Sequence, residues 1–238
     1  MKKLLLALFI SLIPFYTFSS IRIMTTRVII NEMDKEKTFT VRNISEKKPT
    51  LIQEWISEYA ETGMEVKDNV PFLITPPIAK INKGKSKVLR IIPVEEMKEQ
   101  LPKDRESVFW INVLDVPPSE GKPNNNEINL AFRTRVKLFY RPASLQGTTI
   151  DAAEKMKVDI IKTSSGYTVK LTNEQPYYIS ISGFKIFHDK KILASQQGNM
   201  LSPYSEEILH FDGIHQSGVT LKLEYITELG AFVEKQYK

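Results

Sequence analysis

The 238-residue sequence contains no cysteine and only three histidines. The first absence excludes disulfide bonds, thiolate nucleophiles and cysteine metal sites, so apolar cores must stabilise the fold. The histidines, at positions 188, 210 and 215, form no H-E-x-x-H motif, and no G-x-S-x-G or glycine-rich phosphate loop is present. We interpret His210 and His215 as loop or surface residues rather than a metal pair. We expect no enzyme activity, no cofactor and no metal.

Long apolar runs are also missing. The longest, Leu4 to Ile13, has about ten residues, whereas a membrane-spanning helix needs about 20. Two lysines precede this run, and a proline and small polar residues follow it, which is the layout of a secretory signal peptide. We therefore expect residues 1–19 to be a signal peptide cleaved after Ser19, and the mature chain to be exported without a membrane span.

No part of the chain concentrates charge of one sign. Lysine and arginine number 33 against 28 aspartates and glutamates, and 31 basic residues remain if the expected leader is removed. A nucleic-acid-binding surface needs basic residues clustered on one face with interleaved aromatics, whereas here both signs are scattered. We interpret the charges as a solvated surface and expect no nucleic-acid partner.

Short runs of alternating apolar residues dominate the chain from Arg27 onward, and turn-forming residues separate them. This density of short strands predicts an all-β protein of the β-sandwich type. One short helix is expected, at 94–100, and no other. The tandem prolines after Thr75 favour a cis peptide bond in that turn.

A break between two series of strands divides the chain. The longest predicted strand runs from Glu127 to Tyr140 and ends at Arg141-Pro142, because proline cannot continue the ladder. A polar segment around Gly147 follows, and then a second series of strands begins. With about 100 to 200 residues per domain as a guide, we predict two domains, 20–143 and 147–238.

Several ordered blocks resemble the periplasmic pilus-assembly chaperones. The strongest are Leu101 to Asn112 (LPKDRESVFWIN), continuing to Val116-Pro117-Pro118, and Arg135 to Pro142 (RVKLFYRP). Further matching positions follow the family's order: Arg27-Val28, Asn43, Gln53-x-Trp55, Pro71-Phe72, Thr75-Pro76-Pro77, Leu89-Arg90-Ile91, Asn173, Pro176-Tyr177-Tyr178 and Leu201-Ser202-Pro203.

This resemblance implies two immunoglobulin-like β-sandwich domains set at an angle, with a cleft between them. It also implies a periplasmic location, pilus subunits as clients, and an outer-membrane usher that receives them. The short segment between Pro118 and Glu127, together with the lack of cysteine, resembles the short-loop members of the family. Self-association of the free form stays open.

Three apolar residues alternate with polar or small ones before the RVKLFYRP block: Ile128, Leu130 and Phe132. From the residues alone, ordinary core positions of a sandwich strand are the simpler interpretation. The resemblance reverses that preference, because it implies that these residues belong to a strand lent to an incomplete subunit.

Two cations match the family's cleft pair that binds the C-terminal carboxylate of the subunit, Arg27 and Lys137. A lysine inside the apolar run 136–140 is poorly explained as generic surface charge. In a regular strand, however, Lys137 lies on the face opposite Phe132, because the two numbers differ in parity. We therefore expect a bulge or a change of packing along this strand.

The resemblance also implies an ion network between the domains, formed by Glu106, Arg141 and Glu228. We expect surface-type ion pairs of about 0 to 1 kcal/mol each, whose main effect is to orient the two domains. Glu228 is an unusual choice, because the family has aspartate there.

A second interpretation is an exported carbohydrate- or surface-binding module resembling an adhesin. Trp55, Trp110 and the Tyr177-Tyr178 pair could stack on sugars. Both tryptophans fall in predicted strands, and we interpret them as core residues.

Overall fold

The computed structural model describes residues 20–58, 70–116 and 131–238. The expected signal peptide lies outside these residues, as do Ile128 and Leu130. Within the described ranges, no helix is long and apolar enough to cross a membrane.

Two sheets pack face to face in the N-terminal half. One has the strand order β1-β3-β7-β5 and the other β2-β9-β8-β4-β6. Every pair in them is antiparallel except β2 with β9, which is parallel. The elements are β1 (Ile21–Ile23), β2 (Arg27–Asn31), β3 (Lys37–Asn43), β4 (Thr50–Glu58), β5 (Phe72–Thr75), β6 (Ile78–Ile81), β7 (Ser86–Pro93), α1 (Glu95–Lys98), β8 (Ser107–Val116) and β9 (Phe132–Arg141).

Alternate residues of these strands form one apolar core. Ile30, Val41, Ile52, Leu89 and Leu138 are among the side chains with no exposed surface. Each such burial contributes about 1.5 to 3 kcal/mol by transfer scales. In the absence of disulfides, this burial stabilises the domain.

The C-terminal half repeats the two-sheet arrangement. One sheet has the order β10-β11-β15, and the other has β13-β12-β16-β17, with β14 also paired to β12. A separate apolar core fills the space between them. The elements are α2 (Thr149–Lys155), β10 (Lys157–Lys162), β11 (Gly166–Asn173), β12 (Ile179–His188), β13 (Lys191–Gln197), β14 (Met200–Leu201), β15 (Ser205–Asp212), β16 (Thr220–Ile226) and β17 (Phe232–Tyr237).

The predictions of helices and of the cis peptide bond hold with one exception. Helix α1 lies within the predicted 94–100, and the Thr75–Pro76 bond is cis. The expectation of no second helix was wrong, because α2 begins after Thr148, whose side chain accepts a hydrogen bond from the Asp151 amide at 3.1 Å. Ala152 and Ala153 of this helix are buried in the second core.

Candidate functional site

The two halves meet at a small apolar cluster of their own. Val108 and Phe139 from the first half pack with Met200 from the second, and Tyr178 packs against them. The rings of Phe139 and Tyr178 lie 6.0 Å apart between centroids. Two hydrogen bonds to the second half accompany the cluster. The Glu106 amide donates to the Pro176 carbonyl at 2.9 Å, and the Tyr178 amide donates to the carboxylate oxygen Oε2 of Glu106 at 2.9 Å.

Glu106, Arg141 and Glu228 come together beside this cluster. Glu106 Oε1 accepts from Nε and Nη2 of Arg141 at 3.0 and 2.8 Å. The same Nη2 donates to Glu228 Oε1 at 2.7 Å, and Thr149 Oγ1 donates to that oxygen at 3.0 Å. One guanidinium therefore joins a carboxylate of the N-terminal half to one of the C-terminal half.

The strength expected for this network needs correction. Glu106 is only 1% exposed, so its pairing with Arg141 is not a surface ion pair. Burial raises the pKa of Glu106, and Arg141 opposes that rise. Removing one partner of a buried pair costs about 3 to 5 kcal/mol, because the other charge is left without compensation.

Arg27 and Lys137 lie side by side. Strands β2 and β9 run parallel with Arg27 opposite Lys137 and Val28 opposite Leu138. Val28 and Leu138 face the core, so both cations project from the outer face of the sheet.

The side chain of Arg27 is partly shielded from solvent. Its Nη1 lies 3.5 Å from Ser180 Oγ of β12, and its guanidinium carbon is 5.9 Å from the centre of the Phe139 ring. Its Nε is buried without a hydrogen-bond partner among the described residues. Burial lowers the pKa of Arg27, while Glu228 and Glu106 act in the opposite direction. The site thus contains a cation with hydrogen-bonding capacity that the described chain does not satisfy.

A groove of about 390 Å³ opens at Arg27. Its walls come from both domains: Thr25, Arg27, Val28, Ile29, Asn31, Lys37, Thr38, Arg141 and Glu228.

One edge of β9 is open over half its length. Strand β8 pairs with β9 from Phe132 to Tyr140, whereas β2 pairs with it only from Lys137 to Arg141. The second edge of residues 132–136 therefore has no partner among the strands that the structure describes. Phe132, at the start of this segment, is 49% exposed.

Lys137 and Phe132 lie on opposite faces of β9, and this arrangement requires no bulge between them. The β8–β9 register runs without a shift from Asp115 opposite Phe132 to Ser107 opposite Tyr140. Val136 and Leu138 face the core, and Phe132 continues the same row beyond the point where the core ends. The packing environment changes along a regular strand over residues 132–140, so no bulge separates Phe132 from Lys137.

The two tryptophans are not core residues. Trp55 and Trp110 are partly exposed on the outer face of the five-stranded sheet, and the Arg135 guanidinium carbon lies 4.7 Å from the centre of the Trp110 ring. The core positions of β8 are Phe109 and Ile111 instead. Where apolar residues are consecutive, the sequence does not show whether the odd- or the even-numbered side chains face the core. Assigning the wrong set to the core exchanges the two faces of the strand.

The histidines show no metal geometry. His210 and His215 are exposed, as predicted. No group of three or more histidine, aspartate or glutamate side chains could hold a metal ion within ranges 20–58, 70–116 and 131–238.

Comparison with known proteins decides the family. Residues 20–146 match the family model described as "Pili and flagellar-assembly chaperone, PapD N-terminal domain". Residues 151–237 match the one described as "Pili assembly chaperone PapD, C-terminal domain". The chain belongs to the pilus assembly chaperone family.

Individual relatives agree with this membership. The chaperone is 31% identical over 223 residues to the probable fimbrial chaperone YadV of Escherichia coli K12, covering 92% of this chain and 89% of the relative. It is 38% identical over 181 residues to the chaperone LpfB of Salmonella typhimurium, covering 75% and 73%.

Solved structures share the fold. The YadV crystal structure superposes with a TM-score of 0.76 at 32% identity, over 92% of this chain and 99% of that one. SafB of Salmonella enterica, solved in complex with the SafA pilin, gives a TM-score of 0.73 at 23% identity, over 93% and 97%. The prediction of a two-domain β-sandwich is confirmed.

Sequence reasoning missed several residues of the domain junction, among them Phe139, Ser180 and Met200. The junction forms between residues distant in the chain, and apolar side chains at a junction look the same in sequence as those of a core. The resembling blocks that contain Phe139 and Tyr178 were the only signal, and no feature of them pointed to a contact between the two.

Proposed function

We propose that this chaperone binds incomplete pilus subunits in the periplasm, lends them a β-strand, binds their C-terminal carboxylate with Arg27 and Lys137, and delivers them to an outer-membrane usher. The observation that carries the proposal is the position of two adjacent cations at the end of a strand edge that has no partner among the described strands. A chain terminus that pairs with this edge ends beside both charges.

The open edge matches the needs of an incomplete sandwich. A subunit without its last strand exposes an apolar groove and two unpaired strand edges, which invite aggregation. The segment 132–136 offers main-chain hydrogen bonds on its open side. We assign the groove-filling side chains to Ile128, Leu130 and Phe132, in the mode of strand addition known from chaperone–pilin complexes. Phe132, with half its surface exposed, is available for that contact.

The cations supply an anchor that fixes register. A carboxylate between Arg27 and Lys137 accepts charge-assisted hydrogen bonds, which are about twice as strong as neutral ones. The buried Arg27 Nε, which has no partner among the described residues, would be satisfied by such a ligand. The complex of SafB with a pilin, on the same fold, favours a subunit as the ligand.

The ion network is proposed to hold the cleft in shape. Arg141 joins Glu106 of one domain to Glu228 of the other, and Arg141 and Glu228 also line the groove beside Arg27. Domain orientation and anchor position are thereby coupled.

Recovery of the complex tests the proposal. Tagged protein is purified from the periplasm of its native host, and co-purifying chains are identified by mass spectrometry. We expect the wild type to bring down a pilus subunit in near-equal amount, and Arg27→Ala or Lys137→Ala to remain folded but lose it. Arg22→Ala and Lys80→Ala, at exposed positions on β1 and β6, serve as controls. Wild-type recovery by the anchor variants contradicts the anchor, and an adhesin would bring down no subunit.

A further inference from the structure

A row of three cations lines the outer face of β9. Arg133, Arg135 and Lys137 occupy alternate positions, opposite Leu114, Asn112 and Trp110 of β8. Residues spaced by two share a face of a strand, and the intervening Val136 faces the core. The proposed carboxylate anchor is therefore the last member of a longer basic row.

Arg135 is held in a defined place within this row. Its guanidinium carbon lies 4.7 Å from the centre of the Trp110 ring, and the residue is only partly exposed. A cation over an aromatic face is attracted to it and loses part of its freedom. An arginine restrained in this way pays less entropy when a carboxylate binds to it.

The open edge determines which part of a ligand meets the row. A strand that pairs with residues 132–136 and ends beside Lys137 runs in the same direction as β9. Arg27 already occupies the position opposite Lys137 on this edge, so the C-terminal residue of the client strand lies no further along than opposite Val136. The residue before it then shares a face with Arg135. The third residue before the terminus shares a face with Arg133.

We propose that Arg133 and Arg135 make this chaperone selective for pilus subunits whose last strand carries acidic side chains at the first and third positions before the C-terminal residue. The inference rests on the function proposed above and adds the class of client. Opposite charges across neighbouring strands stabilise the pairing and like charges oppose it. The remaining positions of the client strand alternate with the acidic ones and share a face with Phe132. They point into the interior of the subunit, so we expect them to be apolar.

Synthetic peptides of ten residues test the selectivity. Each has apolar residues at the inward positions, a free C-terminal carboxylate, and glutamate, glutamine or lysine at both outward positions. Affinities are measured by titration calorimetry at low and high salt. We expect the glutamate peptide to bind roughly three- to tenfold more tightly than the glutamine peptide, and the lysine peptide to bind most weakly. The differences should shrink at high salt, because salt screens exposed charges.

The double variant Arg133→Gln/Arg135→Gln should lose this discrimination while still preferring a free carboxylate to an amide at the C-terminus. Arg90→Gln, an exposed arginine on the other sheet, should leave both preferences unchanged. Equal affinity for the three peptides, with the carboxylate preference intact, overturns the selectivity alone. Equal affinity for free and amidated peptides, or no binding at all, overturns the proposed anchor and the selectivity with it.

Discussion

Glu54 is a buried acid inside the N-terminal domain. It lies in β4 between the core residues Ile52 and Ile56 and is 3% exposed. Neither carboxylate oxygen has a hydrogen-bond partner among the described residues. Burial raises the pKa of Glu54 to about 7, although its own backbone amide and Lys87 act against the rise. The side chain is therefore expected to make stability depend on pH.

The sign and size of the effect follow from linkage. The ordinary value for this carboxyl is 4.5, and each unit of difference corresponds to about 1.4 kcal/mol. Below pH 4.5 the group is protonated in both states and costs nothing through ionisation. Between 4.5 and 7 the unfolded state releases its proton first, so stability falls as pH rises. Above 7 the folded domain carries the full penalty, on the order of 3 kcal/mol.

Glu54→Gln removes the ionisation and should remove this penalty. We expect the variant to be more stable than the wild type by about 2 to 3 kcal/mol near pH 8 and nearly equal to it near pH 4.5. Urea unfolding of the N-terminal domain, followed by tryptophan fluorescence at both pH values, measures the difference. Glu46→Gln, at an exposed position, is the control. If Glu54→Gln adds no stability near pH 8, the reasoning is refuted.

Three further predictions concern the junction, the second domain and the lent strand. Arg141→Ala leaves Glu106 buried without its cation and should destabilise the junction by about 3 to 5 kcal/mol. Calorimetry should then show separate unfolding of the two domains, and a single unchanged transition would contradict the role of the network. Gly166→Ala places a Cβ 2.1 Å from the Phe211 carbonyl oxygen and should destabilise the second domain by about 1 to 3 kcal/mol, so an unchanged melting temperature would contradict the contact. Leu130→Glu places a charge in the apolar groove of the subunit and should weaken subunit capture. Unchanged capture in a pull-down would contradict the assignment of Leu130 to the donated strand.

Much of the fold could be predicted from the sequence because strand alternation is local. The alternation from Arg27 onward and the stop at Pro142 both reflect backbone chemistry within a few residues. Helix α2 was missed although the capping pattern Thr148-x-x-Asp151 and the helix-forming Ala152 and Ala153 indicate it. The helix is only seven residues long and lies in the polar segment between the two series of strands, which was interpreted as a connection.

The site was less predictable because it depends on pairing between distant strands. The parallel register that places Arg27 beside Lys137, and the open edge of 132–136, cannot be deduced from spacing. The resemblance alone nominated these residues. The burial of Glu106 was equally invisible, since it comes from packing against a second domain whose contact residues lie about 70 positions away.

The most direct measurement of the central claim is hydrogen–deuterium exchange of the chaperone, alone and in complex with its co-purified subunit. Those amides of residues 132–136 that point away from β8 face an edge with no described partner strand. They should therefore exchange quickly in the free protein and at least about tenfold more slowly in the complex. Strand β17, an edge strand of the other domain, is the internal control and should be unchanged. Protection of β17 with none at 132–136 would contradict strand donation by β9.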